Sequence, residues 1–279
     1  MPASVVAAHS YIGTVLDADM SIATTGSVAL SPLRDALIAL ASAALEGPLE
    51  EVKAALDLLG SLSDGVGLGP LTADLSAWPE GARAAALTDL RAIGSALANS
   101  LVGVTHHGDA AVRTGAVRVL SRIHTEEAQA AIVAALTDSS TEVNRAALDA
   151  LDAQRANDNA VTQVSRVVRT HSDWATRARA AAALGRMARP SAQDSLADVL
   201  LHDNYAFVRE AAAQALRGAT AASAISALRE ALLHDTEPRV QVAAVGALRA
   251  MNSPEAREAL SAARAAALPG EVRAALSAD

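Results

Sequence analysis

The residues with chemistry to offer recur along this chain at near-constant spacing. His106, His107, His171, His202 and His234 each lie five or six residues ahead of a repeating valine or threonine. Such a ladder could ligate a metal, or bond the last carbonyls of a helix, where a histidine also suits the helix dipole. Packed helices lie roughly 8–10 Å apart while metal–nitrogen bonds are about 2 Å, so one ion could touch at most two neighbouring turns. The helix-end role is therefore preferred, and neither a metal nor a cofactor is expected. Trp174, Tyr205 and Phe207 stand beside the same turns in a sequence that is only 2% aromatic. Either they fill core beneath the turn, as the place of Phe207 next to Val208 suggests, or Trp174 and Tyr205 form an exposed edge of the kind that anchors a partner.

Arginine supplies almost all the positive charge, because Lys53 is the single lysine among 23 basic residues. An arginine- and alanine-biased genome accounts for this without selection for guanidinium chemistry. Segments 108–123 and 173–189 carry seven arginines against Asp109 and Asp173, whereas 125–138 and 190–201 carry five acidic residues and no arginine or lysine. Net charge is −8, of which −7 lies in residues 1–100, and no long basic run points to nucleic acid. There is no cysteine, which excludes thiolate chemistry and disulfides. No Ser/His/Asp or paired-carboxylate constellation stands out, and Gly65, Gly67 and Gly69 lack the preceding strand and following Gly-Lys of a phosphate loop. The N-terminus lacks a basic segment before an apolar core, and the longest apolar run, about 36–45, is too short to span a bilayer. A soluble, cytoplasmic protein is expected.

These residues must be positioned by a repeated unit. The chain aligns with itself in five registers, with anchors Val112, Val143, Thr176, Val208 and Val240 spaced 31, 33, 32 and 32 residues apart. Leu120, Leu151, Leu184, Leu216 and Leu248 each follow an anchor by eight residues, a little over two helical turns, so both share a face with alanines between them. The segment before each anchor has its own helical stripe: Ile132 and Leu136, Val164 and Val168, Leu196 and Leu200, Ile225, Leu228 and Leu232. Each unit is thus a helix A, a turn and an alanine-lined helix B. Thr125, Ser191 and Ser253 are candidate N-caps, with Pro254 at a first helical position. One pair cannot bury its apolar face alone, so neighbours must stack.

The turn aspartates Asp109, Asp138, Asp203 and Asp235, the pairs Val112-Arg113, Val208-Arg209 and Val272-Arg273, and the Ala-Leu ending helix B resemble the HEAT-like repeat, in particular the short bacterial kind seen in phycobilin lyase-type proteins. Asn144 and Gln241 replace the arginine, and Asp173 sits two residues late. The aspartate can cap helix B while the arginine reaches the next unit's aspartate or carbonyls. The resemblance implies an all-α, right-handed α-solenoid of stacked antiparallel helix pairs, a HEAT-like superhelix whose B helices line the concave face. HEAT-like diiron hydroxylases use His-Glu dipeptides, which are absent here.

The expected organisation is an irregular segment at 1–30, degenerate helical capping pairs at 31–92, and an array at 93–279 of five units plus a partial one. Val272 lies 32 residues after Val240 and opens a sixth helix B that runs out before its leucine, as in a clipped cap or a fragment of a longer protein. Function is expected to be non-catalytic: a scaffold binding a protein or peptide partner, acidic by charge, on the helix-B face. The candidate partner-binding residues are Trp174, Tyr205, Arg177, Arg179, Arg186, Arg209, Arg217, His171 and His202, with membrane and nucleic acid disfavoured. The alternative is a HEAT-like enzyme or enzyme subunit of the pigment-lyase or base-excision kind.

Overall fold

A computed structural model describes residues 98–123, 125–151 and 156–278; the expectations for 1–30 and 31–92 lie outside the described residues. The described residues form helices and turns, with no strand among them. The chain divides between Ala150 and Leu151 into two compact units.

In the first unit, a helical segment α1 (98–104) is followed by α2 (Ala110–Leu120), α3 (Glu126–Ala135) and α4 (Thr141–Ala150). The B helices α2 and α4 pack on each other, and the A helix α3 packs on both. The second unit holds α5 (Asp158–Thr170), α6 (Trp174–Met187), α7 (Pro190–His202), α8 (Ala206–Ala215), α9 (Ala222–His234), α10 (Pro238–Met251), α11 (Pro254–Arg264) and α12 (Gly270–Ser277). Here α6, α8, α10 and α12 stack as one layer, α5, α7, α9 and α11 as the other, and each A helix packs on its own B helix. This is the two-layer stack that the period requires. The short α12 buries Val272 and Leu276, so the sixth register is occupied as far as it runs.

The core follows the anchors. Val112, Val143, Thr176, Val208 and Val240 are buried, as are the five leucines eight residues on. Thr176 tolerates full burial because its Oγ1 donates to Asp173 Oδ2 at 2.6 Å. The A-helix stripes are buried as well, except Ile225, which is half-buried. Alanine lets the B helices approach closely, and one contact needs still less: a Cβ at Gly185 would lie 2.8 Å from Ala215 Cβ and 2.9 Å from the Ala215 carbonyl oxygen.

Helix ends explain the boundaries. Thr125 and Ser253 accept the backbone N–H groups of Ala128 and Ala256, and Pro254 occupies the first turn. Ser191 is not a cap: Pro190, with its fixed φ and missing N–H, takes the first helical position, and the boundary moves to Arg189. Ala221 opens α9 without a capping side chain of its own, and the buried Gln193 of α7 supplies one, its Oε1 accepting from the N–H groups of Thr220 and Ala221 at 3.1 and 2.9 Å.

Candidate functional site

The turns between helices A and B are built on a ladder of charge-assisted hydrogen bonds that joins consecutive repeats. Arg177 Nε and Nη2 donate to the two carboxylate oxygens of Asp203 at 2.8 and 3.0 Å, while its Nη1 donates to the carbonyls of His171 and Ser172 in its own turn. Arg209 does the same with Asp235 (2.7 and 2.9 Å) and the Asp203 carbonyl, and Arg113 with Asp138 (2.7 Å for both) and the His107 and Gly108 carbonyls. The bidentate geometry satisfies the fork of each guanidinium, so these pairs combine near-burial with full hydrogen bonding. Hydrogen bonds from the partner carboxylates, against the opposing effect of burial, raise the pKa of Arg113, Arg177 and Arg209 further above the ordinary arginine range. The Arg113 hydrogen bonds, again against burial, hold the Asp138 carboxyl below its usual range.

The aspartates divide into two classes by register. Asp138, Asp203 and Asp235, five residues before the anchor, receive the arginine of the previous repeat and also accept the N–H two residues on, from Ser140, Tyr205 and Glu237. Asp109 and Asp173, three residues before the anchor, cap helix B instead. In those two repeats the position five before the anchor is histidine, and the imidazole takes over the turn: His107 and His171 Nδ1 accept the N–H groups of Asp109 and Asp173 at 3.0 and 3.1 Å. The expectation that Asp138, Asp203 and Asp235 cap helix B is therefore corrected, since their oxygens are already occupied by arginine and the turn. Asn144 and Gln241, which stand in for the arginine, keep its local half: their side-chain amides donate to carbonyls of Ala135 and Asp138, and of Leu232, in their own repeats.

An aromatic strip lies on the ladder turns of the second unit. Trp174 and Tyr205 stack with ring centroids 6.3 Å apart and planes 10° from parallel, and Trp174 meets Phe207 at 5.3 Å. The Arg177 guanidinium lies 5.3 Å from the Tyr205 ring centre and that of Arg239 4.2 Å from the Phe207 ring centre. These contacts do not bury the rings, which remain 39% (Trp174), 50% (Tyr205) and 51% (Phe207) exposed. With Leu201 they are the exposed large apolar side chains of the described residues. Phe207 thus does not pack under the turn. It sits one residue before the anchor, where the other repeats have Ala111, Glu142, Ala175 and Arg239, and that row of small and charged residues marks a solvent-facing position.

The sequence-derived candidates fall into three groups. Trp174, Tyr205, Arg177 and the His171 backbone come together across two neighbouring turns, and Arg209 is committed to the next rung. Arg179, Arg186 and Arg217 are exposed along the B layer. His202 lies apart, exposed at the end of α7, with Nδ1 2.9 Å from the Asp198 carbonyl oxygen and 3.0 Å from Asp198 Oδ1. Phe207, Arg239 and Glu210 belong to the strip and were not among the candidates. Among the described residues no group of three or more His, Cys, Asp or Glu could hold a metal ion, and no helix is long and apolar enough to cross a membrane. Charge separates by layer mainly through the B helices; the A helices also carry Arg166, Arg169, Arg229, Arg257 and Arg264.

Residues 130–217 match the family model of HEAT repeats, and residues 208–234 that of the PBS lyase HEAT-like repeat. The chain thus carries HEAT-like repeats over residues 130–234. No curated protein matches it. Among solved structures, these HEAT-like repeats are similar to an engineered protein from a structural genomics consortium, at 23% identity over 80% of this chain and 97% of that one, with a TM-score of 0.48. Computationally designed armadillo repeat proteins for modular peptide recognition match at 19% identity over 77% and 100% of the two chains, with a TM-score of 0.47. Human deoxyhypusine hydroxylase in complex with glycerol matches at 20% identity over 88% and 96%, with a TM-score of 0.38.

Proposed function

We propose that this HEAT-like repeat protein is a non-catalytic interaction scaffold that binds an acidic protein or peptide segment on the B-helix face of its second unit. The observation that carries the reading is the company of exposed aromatic rings and exposed arginines on one layer: Trp174, Tyr205 and Phe207 with Arg179, Arg186, Arg217 and Arg239. Exposed aromatic and arginine side chains are the types that dominate binding energy at interfaces. The ladder beneath them fixes the turns before a partner arrives, so little ordering cost falls on binding. Glu210 is the one acidic residue in α6, α8 and α10, so an acidic ligand meets complementary charge.

The test is a random-peptide display selection on the immobilised protein, followed by measured binding of the enriched peptides to the wild type and to Arg179→Glu/Arg217→Glu. Enrichment of acidic peptides whose affinity drops at least tenfold on the reversal variant, at an unchanged melting temperature, is expected. Peptides that bind both proteins equally would overturn the reading, as would a selection that enriches none.

A further inference from the structure

We infer that Arg239 is the specificity-determining residue of the aromatic strip, and that the strip takes a peptide in which a carboxylate side chain lies next to a large apolar one. This rests on the scaffold reading above. The strip runs Tyr205, Trp174, Phe207, Arg239 and thus crosses from the third repeat to the fifth, a course along the stack that suits an extended segment.

Its cations differ in what they have left to offer. Arg177 and Arg209 each spend their donors on a bidentate aspartate and on turn carbonyls, and their side chains are almost buried. Arg239 has a ring contact with Phe207 and a loose approach to Glu210 Oε2 at 3.6 Å, beyond hydrogen-bond length, with 43% of its side chain exposed. Stacking on an aromatic face holds a guanidinium in place while sparing its N–H donors, and a carboxylate is the group that fits such a fork bidentately. Phe207 adjoins it and Trp174 adjoins Phe207, and these exposed rings would cover an apolar neighbour of that carboxylate. Each part alone is ordinary; their adjacency specifies a composite ligand. Glu210 serves as the internal stand-in that keeps Arg239 oriented until the ligand carboxylate displaces it.

The probes are three fluorescein-labelled peptides of one length: one alternating Glu with Leu and Phe, a second with every Glu replaced by Gln, and a third with Leu and Phe replaced by Ser. Anisotropy titrations use the full chain as wild type, Arg239→Gln, Arg239→Lys and Trp174→Ala, with melting temperatures as the folding control. The wild type is expected to prefer the Glu peptide over both others by about tenfold. Arg239→Gln should abolish the preference over the Gln peptide while leaving Gln-peptide binding unchanged. Arg239→Lys should restore only part of it, and Trp174→Ala should abolish the preference over the Ser peptide. Equal wild-type affinity for the Glu and Gln peptides, or equal loss of both in Arg239→Gln, would overturn the inference. Self-association of the wild type abolished by Trp174→Ala, or capture of an oligonucleotide or anionic vesicle instead of peptide, would assign the strip to another occupant and overturn it too. Should displayed peptides bind the B face while these probes ignore Arg239, the inference fails and the scaffold reading stands.

Discussion

At the scale of single residues, the arginine–aspartate rungs are the most consequential side chains of the turns. Arg177 and Asp203 are buried to about a tenth of their exposed area or less, so removing one partner strands the other. Asp203→Ala is expected to cost about 3–5 kcal/mol of stability, read from denaturant unfolding; a loss below about 1 kcal/mol would place the pair with ordinary surface ion pairs. Asp138 adds a pH signature. Its folded-state pKa is depressed, chiefly by the Arg113 hydrogen bonds, so its contribution is fully present above the unfolded aspartate value of about 3.9 and is lost as pH falls through the lower folded value. Thermal melts of Asp138→Asn should lie below the wild type at neutral pH and converge with it below about pH 4; curves that stay parallel would dissociate the shift from stability. Sequence alone exposed the rung residues and their pairing, the arginine reaching the next unit's aspartate, but not the division of the aspartates by register. Asp109 read as a member of the aspartate ladder and Asp173 as one set two residues late; Asp109 shares that displacement, which turns the carboxylate from an arginine acceptor into a helix cap. The sequence suggested that His171 bonds helix-end carbonyls, and it did not suggest that its Nδ1 accepts a backbone N–H within the turn.

At the scale of helices, the alanine-lined B layer sets how close the repeats approach, and two glycines separate packing from propensity. Gly185 lies where any side chain would meet Ala215 backbone and Cβ, while a Cβ at Gly246 would have nothing within 4 Å. Gly246→Ala in α10 should stabilise by roughly 0.5–1 kcal/mol, because alanine replaces glycine in a helix interior at no steric cost. Gly185→Ala in α6 gains the same propensity and should nevertheless destabilise, because α6 and α8 must separate. Equal shifts in melting temperature for the two variants would mean that this close approach does not govern the stack. The helices themselves were legible from the eight-residue interval between anchor and leucine, which only a helix places on one face. Phe207 was not, because a ring beside a buried valine looks like core until the equivalent positions, Glu142 and Arg239 among them, are read across the repeats.

At the scale of the molecule, the period carried nearly all the structural information and little of the functional. The five anchors specify stacking, burial and the two layers, since each is a demand repeated in every unit. Binding residues are by nature departures from that demand, and a single sequence gives no second copy against which to test them. What register can supply is a contrast: Tyr205 where the equivalent turns have Ser140 and Glu237, and Arg239 where Phe207 precedes it by one repeat. The central claim, that the B layer of the second unit is the binding face, is tested most directly by amide hydrogen exchange of the protein with and without a display-selected peptide. Slowed exchange is expected in α6, α8 and α10 and at the turns bearing Trp174 and Tyr205. Slowing confined to α7, α9 and α11, with those three B helices unchanged, would contradict it.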